Sequence, residues 1–257
     1  MKASPLLAAG NISVGIGSIC AVRDASFSLA PGDRLAVLGR NGVGKSTLLA
    51  ALAGLHPLMA GAVRCAEREL SAWKPEALAR LRAWLPQHPE DAFASSVLEA
   101  VLVGRHPWMG RFAWEGDEEL KIAREALRAM DLSGFEGRNV LTLSGGERQR
   151  VALATVLTQT PSLYLLDEPL THLDLSSQVA VLEHFAGLAA RGAAVVIVEH
   201  DLNLALSWAN RVLLLLGNGE WEEGSCAEIA TTGKLSRALG HPLRCLDDRG
   251  RSVFLPR

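Results

Sequence analysis

Short apolar runs alternate with helical patterns over much of the chain, and together they predict an α/β fold. Leu35–Leu38 is a predicted strand, and the helical pattern of Ser46–Ala53 begins shortly after it. Leu163–Leu166 and Ala193–Val198 are apolar throughout, as strands buried on both faces are. The helical pattern of Ser176–Ala190 lies between them. Strands that alternate with helices in this way predict a mostly parallel, doubly wound sheet.

A helical segment interrupts this alternation in the middle of the chain. From Pro75 to Met130 the composition shifts to alanine, leucine, arginine and glutamate, which favour helices. Asp117–Met130 repeats its apolar residues with the period of one helix face. We therefore expect a single domain whose core consists of residues 1–87 and 159–257, with an inserted helical subdomain at residues 88–158.

Both ends of the chain predict further strands. Ile12–Leu38 alternates short apolar segments with turn signals, which indicates an N-terminal antiparallel β portion. After the apolar run Val212–Leu216, the turn Gly217-Asn218-Gly219 predicts a hairpin. Asp248-Arg249-Gly250 predicts another hairpin near the end of the sequence.

Composition and charge narrow the class of protein. Of the 257 residues, 49% are hydrophobic and 21% are charged, which is typical of a globular chain. Lysine and arginine number 26 against 28 acidic residues, and this balance argues against a nucleic-acid partner. The four cysteines lack the spacing of a metal site or a disulfide framework, so we expect reduced thiols.

No segment predicts a membrane span or a signal peptide. The longest apolar runs, Ala193–Val198 and Val212–Leu216, are far shorter than the ~20 residues that cross a bilayer. The apolar stretch at the N-terminus is too short and broken for a signal peptide. We therefore expect a soluble protein that reaches a membrane only through a partner.

The segment Gly39–Thr47 fits the phosphate-loop spacing G-x-x-x-x-G-K-[ST], between a predicted strand and a predicted helix. We expect Lys45 to neutralise the β- and γ-phosphate oxygens of a nucleotide and the Ser46 hydroxyl to bind Mg²⁺. A structural glycine turn is the alternative, but it would not require the flanking strand and helix. The predicted nucleotide contacts are Gly39, Arg40, Asn41, Gly42, Val43, Gly44, Lys45, Ser46 and Thr47.

A second predicted helix start follows Leu143. Ser144-Gly145-Gly146-Glu147 has the form of a capping box, with a serine three residues before a glutamate. The N-terminus of such a helix directs N–H groups and a positive dipole end towards an anion. No lysine accompanies this segment, however, so it forms half a site. We therefore expect Ser144, Gly145 and Gly146 to contact a nucleotide held by the P-loop of another copy.

Two carboxylates follow the apolar run Leu163–Leu166. At the carboxyl edge of a parallel sheet, Asp167 and Glu168 would lie beside the nucleotide crevice. We expect Asp167 to bind Mg²⁺ and Glu168 to polarise the attacking water. A solvated acidic pair that caps a helix is the alternative.

These motifs, in this order, resemble those of the ATP-binding cassette (ABC) family, and the resemblance covers nearly the whole chain. It implies a P-loop NTPase core that binds ATP with Mg²⁺ and dimerises around two nucleotides. It also implies that Gln87 contacts the metal and the attacking water, and that His200 contacts the γ-phosphate. Asp174, in Thr171-His172-Leu173-Asp174, would lie in the loop between the two subunits. The implied catalytic residues are Glu168, His200, Lys45 and Gln87.

One departure from the family pattern concerns the nucleotide base. The family usually stacks adenine on an aromatic residue before the P-loop, but the matching stretch Val14–Gly17 offers only Ile16. The chain has a single tyrosine, Tyr164. Aromatic stacking on a base contributes ~1–3 kcal/mol in other settings. We therefore expect weaker, less base-selective binding, with only apolar contact from Ile16 or Val22.

Two segments resemble importers of iron–siderophore, haem and cobalamin complexes: Val101–Trp108, which contains Gly104-Arg105-His106-Pro107, and the ending Leu235–Gly250. The resemblance implies permease subunits in the membrane, a periplasmic or surface substrate-binding protein, and a location at the cytoplasmic face of the membrane. An exporter subunit, a soluble cassette ATPase and a P-loop phosphotransferase are the alternatives. The apolar residues Trp108, Met109, Phe112 and Trp114 would either receive a permease helix or pack inside the insertion.

Overall fold

The structure is a computed structural model that describes residues 4–17, 19–89, 94–109 and 116–257. Its strands are β1 (Leu7–Ile16), β2 (Ile19–Leu29), β3 (Arg34–Gly39), β4 (Ala60–Cys65), β5 (Arg68–Glu69), β6 (Arg82–Leu85), β7 (Leu163–Asp167), β8 (Ala194–Val198), β9 (Arg211–Gly217), β10 (Glu220–Ser225), β11 (Leu243–Asp248) and β12 (Arg251–Pro256). Its helices are α1 (Lys45–Leu52), α2 (Pro75–Leu81), α3 (Val97–Leu102), α4 (Asp117–Ala129), α5 (Gly145–Thr158), α6 (Leu175–Ala190), α7 (Leu202–Trp208), α8 (Cys226–Ile229) and α9 (Thr232–Leu239). Short 3₁₀ turns occupy Leu70–Ala72, Val103–Trp108 and Val140–Thr142.

The central sheet has the strand order β10-β9-β3-β8-β7-β6 in the described part of the chain. The pairs from β9 to β6 are parallel, and β10 joins β9 antiparallel through the predicted Gly217–Gly219 turn. The strands predicted to be buried on both faces, β7 and β8, lie inside this sheet and are buried at every position. The expected α/β fold with a mostly parallel sheet is therefore confirmed.

Alternate residues of the sheet enter two separate cores because neighbouring side chains of a strand point to opposite faces. Tyr164 and Leu166 of β7 join the core formed with α3–α6 and the C-terminal helices. Leu163 and Leu165 face the other core, which contains α1 and strands from the N-terminal part. The nucleotide loop between β3 and α1 is thus attached to a sheet that is packed on both faces.

The N-terminal β portion is antiparallel, as predicted. Its strand order is β2-β1-β4-β5, with register shifts along the β1–β2 pair. The second predicted hairpin joins β11 to β12. All four cysteines are free thiols. None of the described helices combines the length and the apolar character that crossing a membrane requires.

The helices of the middle segment pack on one another, with α5 in contact with both α3 and α4. The predicted amphipathic helix is α4, which buries Ala123, Ala126 and Leu127 and ends one residue before the predicted Met130. The first-turn acids of α4 favour its N-terminus through the helix dipole. The boundaries of a helical subdomain at residues 88–158 remain an expectation.

The turn Val103–Trp108 is fixed to the C-terminal end of α5. Arg105 Nη1 donates a hydrogen bond to the carbonyl of Thr158 (2.8 Å), and the Trp108 indole N–H donates one to the carbonyl of Gln159 (2.9 Å). These bonds satisfy carbonyls that a helix leaves without intrahelical partners at its end. Arg105 and Trp108 of the importer-like segment therefore have a structural role in this chain.

The predicted apolar cluster around Trp108 is only partly within the described residues. Trp108 is 40% exposed, and the guanidinium groups of Arg80 and Arg105 lie 5.1 and 5.4 Å from its ring centroid. Met109 is half-buried, whereas Phe112 and Trp114 fall outside the described residues. Whether the cluster receives a permease helix therefore stays a prediction.

Candidate active site

The phosphate loop connects β3 to α1, as the sequence predicted. Gly44 precedes α1 with φ 104°, and a Cβ at this position would lie 2.4 Å from the Cβ of Ala21. Only glycine combines this backbone conformation with so close an approach. No side chain caps the start of α1 in the described part of the chain. Its N–H groups are therefore available to an anion.

Lys45 is buried against its own loop. Its Nζ donates hydrogen bonds to the carbonyls of Gly39 (2.9 Å) and Arg40 (3.1 Å). Burial lowers the pKa of the Lys45 amine, and the nearby carboxylates of Glu168 and Asp167 oppose this shift. The loop thus places the Lys45 amine close to the backbone N–H groups of the loop and of the first turn of α1.

Three of the predicted catalytic side chains meet at one atom. Gln87 follows β6, Glu168 follows β7 and His200 follows β8, and these strands are neighbours in the parallel sheet. Gln87 Nε2 and His200 Nε2 each lie 2.7 Å from Glu168 Oε1. The sequence predicted each residue separately, and the structure brings all three together. A mostly buried carboxylate held by two side chains is suited to accept a hydrogen bond from water.

Glu168 itself has an unusual backbone conformation. Its φ is 49°, in the left-handed region that residues other than glycine rarely occupy. Its N–H donates a hydrogen bond to the carbonyl of Val198 (3.0 Å), which ties the end of β7 to the end of β8. The carboxylate direction therefore depends on contacts from neighbouring elements.

Asp167 and Ser46 form the candidate magnesium site. Asp167 is 1% exposed, and its Oδ1 is buried without a hydrogen-bond partner among the described residues. Burial raises the pKa of Asp167, while a hydrogen bond with Ser46 lowers it. The described residues contain no cluster of three or more acidic, histidine or cysteine side chains that could bind a metal alone. This arrangement fits Mg²⁺, which takes few protein ligands and shares the phosphates of its substrate.

The second predicted helix start, with its capping box, is present at α5. The Ser144 hydroxyl accepts a hydrogen bond from the N–H of Glu147 (3.3 Å), and Glu147 Oε2 accepts one from the N–H of Ser144 (2.7 Å). These hydrogen bonds hold the pKa of Glu147 below its usual range. A Cβ at Gly146 would lie 2.8 Å from the carbonyl of His172, so the tip of α5 packs closely against the loop 171–174.

Asp174 has a local role in the structure. Its side chain caps α6 by accepting a hydrogen bond from the N–H of Ser177 (2.8 Å). The predicted role of Asp174 at a subunit boundary stays a prediction. The cap holds the loop 171–174 at the start of a long helix, beside the tip of α5.

Two polar residues at the site were not predicted from the sequence. Glu199 is buried, and its carboxylate accepts hydrogen bonds from the N–H groups of Leu170 (3.2 Å) and His200 (3.3 Å). Burial, together with the charges of Glu168 and Asp201, raises the pKa of Glu199 to about 7, and the two backbone hydrogen bonds oppose this shift. Gln149 of α5 donates to carbonyls in the loop after β7. The position of Glu199 directly before His200 was the one available signal.

The predicted base contacts differ in their accessibility. Ile16 is 58% exposed at the end of β1, where it pairs with Ile19 of β2. Val22 is completely buried in the core, so it cannot contact a base from the surface. Of the two predicted residues, only Ile16 is exposed enough for an apolar contact with a nucleobase.

The phosphate loop, the carboxylates at the end of β7 and the central parallel sheet define a P-loop nucleoside triphosphatase. The separate helix start at Ser144 distinguishes it from P-loop phosphotransferases, which have no need of such a segment.

A profile of the ABC transporter family matches residues 22–171. The chain belongs to this family, and it is therefore an ATPase of the ABC class. It is 43% identical over 232 residues to the hemin import ATP-binding protein HmuV of Nocardia farcinica, covering 90% of this chain and 80% of that protein. It is 38% identical over 253 residues to HmuV of Rhodococcus jostii, covering 98% of this chain and 86% of that protein.

Solved structures support the same assignment. A metal-chelate type ABC transporter in an inward-facing conformation superposes with a TM-score of 0.84 at 30% identity, covering 99% of this chain and 98% of that chain. A dimeric ATP-binding cassette bound to ADP and Pi gives a TM-score of 0.74 at 26% identity, covering 86% of this chain and 98% of that one. ATP-binding cassettes of this fold thus bind nucleotide and form dimers.

Proposed function

We propose that this chain is the ATP-hydrolysing subunit of an ABC importer for a metal chelate, with haem as the first candidate. The names of the relatives and the metal-chelate neighbour support the cargo class. Iron–siderophore complexes and cobalamin are the other chelates that the sequence suggests. The observation that carries the ATPase role is the convergence of Gln87 and His200 on Glu168 Oε1.

In the proposed mechanism, each residue acts on the triphosphate or on the attacking water. The loop N–H groups and Lys45 bind the β- and γ-phosphates, and Glu168 accepts a hydrogen bond from the water. Lys45 and His200 stabilise the negative charge that develops on the transferred phosphoryl group. Ser46 and Asp167, with Gln87 as a further candidate ligand, would hold Mg²⁺, which would neutralise phosphate charge when bound.

Two copies would complete each site. The P-loop of one copy would hold the triphosphate, and Ser144, Gly145 and Gly146 of the other would contact it through the N-terminus of α5. Closure of this dimer would move attached permease subunits in the membrane, and hydrolysis would let it reopen. We place the protein at the cytoplasmic face of the membrane, with a substrate-binding protein as an indirect partner and no nucleic acid.

The variant Glu168→Gln tests the assigned chemistry. It keeps the hydrogen-bonding shape but removes the carboxylate, so hydrolysis should fall by at least about 100-fold while ATP binding persists. The variant should then accumulate as an ATP-dependent dimer in size-exclusion chromatography. Glu125→Gln, an exposed change on α4, is the matched control and should behave like the wild type. Hydrolysis at the normal rate by Glu168→Gln would contradict the catalytic role proposed for Glu168.

Transport assays test the cargo and its direction. The chain should co-purify with its permease, and the complex in vesicles should take up haem in an ATP-dependent manner. A ferric siderophore and cobalamin are the competing cargoes in parallel assays. Export from the vesicles would favour the exporter alternative. Failure to associate with any membrane protein would favour a soluble cassette ATPase.

A further inference from the structure

Gln149 connects α5 to the loop that carries Glu168. It lies in the second turn of α5, and it is 5% exposed although its side chain is polar. Its Nε2 donates hydrogen bonds to the carbonyl of Pro169 (3.0 Å) and, at greater length, to the carbonyl of Glu168 (3.4 Å). A buried amide with two backbone acceptors fixes the helix to this short segment.

The segment needs such support because of its conformation. Glu168 has φ 49°, and a residue other than glycine in this region persists only when its surroundings hold it there. The Val198 carbonyl accepts a hydrogen bond from the Glu168 N–H, and Gln149 donates hydrogen bonds to the carbonyls of Glu168 and Pro169. Loss of the Gln149 amide would leave two carbonyls without this donor and release one side of the restraint.

We infer that Gln149 is a positioning residue that fixes the direction of the Glu168 carboxylate relative to α5. The inference rests on the proposed function, in which the tip of α5 contacts the nucleotide of the other copy and Glu168 serves its own. Gln149 then links the two nucleotide sites, because a shift of α5 acts directly on the backbone of Glu168. Binding at one site would thus help to align the catalytic carboxylate at the other.

Gln178 provides a matched control in the same loop. Its Nε2 donates to the carbonyls of Leu170 (3.4 Å) and Leu173 (3.2 Å), so it also restrains the segment after β7. It belongs to α6, however, and makes no bond to the backbone of Glu168 or Pro169 among the described residues. A general loosening of the loop should affect both variants, whereas positioning of Glu168 should depend on Gln149 alone.

The test compares Gln149→Met with Gln178→Met in the full-length chain. Methionine conserves the length of the side chain and removes the amide donors. We expect Gln149→Met to lower the kcat for ATP hydrolysis about tenfold with KM for ATP within about twofold of the wild type. Gln178→Met should keep kcat within about twofold. Wild-type kcat in Gln149→Met, or equal losses in both variants, would overturn the inference.

A second readout separates positioning from loss of structure. In the Glu168→Gln background, Gln149→Met should still form the ATP-dependent dimer, because the tip of α5 is unchanged. Loss of the dimer in parallel with kcat would mean that Gln149 only stabilises α5. If the methionine variant does not fold, Gln149→Asn replaces it in the test. Its amide is one methylene too short to reach the two carbonyls, so kcat should still fall several-fold at unchanged KM. Normal hydrolysis by Glu168→Gln alone would instead contradict the proposed function.

Discussion

Glu199 is the side chain whose protonation the fold changes most clearly. Burial raises its pKa from an ordinary 4.5 to about 7, and the charges of Glu168 and Asp201 act in the same direction. Between these two values the folded chain holds a proton that the unfolded chain has released. The contribution of Glu199 to folding stability should therefore fall as the pH rises from about 4.5 to about 7 and level off above that.

Replacing this carboxyl tests that pH dependence. In Glu199→Gln the titrating group is absent, so its melting temperature should fall less than that of the wild type between pH 5 and pH 7. Differential scanning calorimetry at half-unit steps measures the difference. Glu228→Gln is the control, because hydrogen bonds from Ser225 hold the pKa of Glu228 below its usual range, outside this window. Parallel curves for the wild type and Glu199→Gln would contradict the assignment.

We expect the exposed Ile16 to influence how strongly the site holds a nucleobase. Because an aliphatic side chain gives only apolar contact, ATP and GTP should compete almost equally for the wild-type site. Ile16→Tyr would add a stacking surface worth about 1–3 kcal/mol, which is a gain in ATP affinity of at least about fivefold. Equilibrium binding with a fluorescent ATP analogue measures it. A control change at Ile19, Ile19→Tyr, separates stacking at position 16 from general hydrophobicity of the hairpin end.

Strong preference of the wild type for ATP over GTP would contradict the role assigned to Ile16. It would mean that residues outside this hairpin end recognise the base.

At the level of helices, three capping boxes allow local stability to be separated from function. Ser96–Glu99, Ser144–Glu147 and Ser225–Glu228 have the same reciprocal hydrogen bonds. Ser144→Ala and Ser225→Ala should each cost about 1 kcal/mol, a fall of about 2–4 °C in melting temperature. Only Ser144→Ala should also lower ATP-dependent dimerisation and hydrolysis. Equal ATPase activity in the two variants would contradict the proposal that the tip of α5 contacts a nucleotide.

The contact between the turn Val103–Trp108 and α5 requires a glycine at position 104. A Cβ there would lie 2.1 Å from the carbonyl oxygen of Thr155 and from the hydroxyl of Thr158. Gly104→Ala should therefore destabilise the protein by about 1–3 kcal/mol through overpacking. Gly137→Ala is the control, because a Cβ at Gly137 meets no atom within 4 Å. Urea denaturation should show a lower midpoint for the first variant alone.

For the molecule as a whole, the catalytic residues that could be predicted are those at the carboxyl ends of neighbouring strands. Glu168 and His200 follow predicted strands, and Gln87, which the family resemblance implied, follows β6. Parallel neighbours bring the ends of these strands together. The sequence did not predict Gln149, because a glutamine within a helix has the same local pattern whether it faces solvent or a buried carbonyl. Val22 was misjudged for a related reason: burial depends on the packing of β1, β2 and α1, which the local sequence does not contain.

The proposed sharing of nucleotide sites between two copies would be a property of the assembly, and mixed dimers test it. Lys45→Ala disables a P-loop and Ser144→Arg blocks the tip of α5, so each variant alone should be inactive. In a mixed dimer, the P-loop of the Ser144→Arg copy meets the intact α5 tip of the Lys45→Ala copy. An equal mixture should then regain about a quarter of the wild-type activity, since half of the dimers are mixed and each has one complete site.

The matched control for this experiment mixes Lys45→Ala with Glu168→Gln. Both changes disable the site at the P-loop of their own copy, so each of the two sites in a mixed dimer keeps one defect and activity should stay at the background level. Steady-state phosphate release after the copies have exchanged measures both mixtures. No recovery in the first mixture would mean that one copy encloses its nucleotide alone, and the α5 tip would then need a different ligand. Equal recovery in the two mixtures would mean that the gain does not come from shared sites.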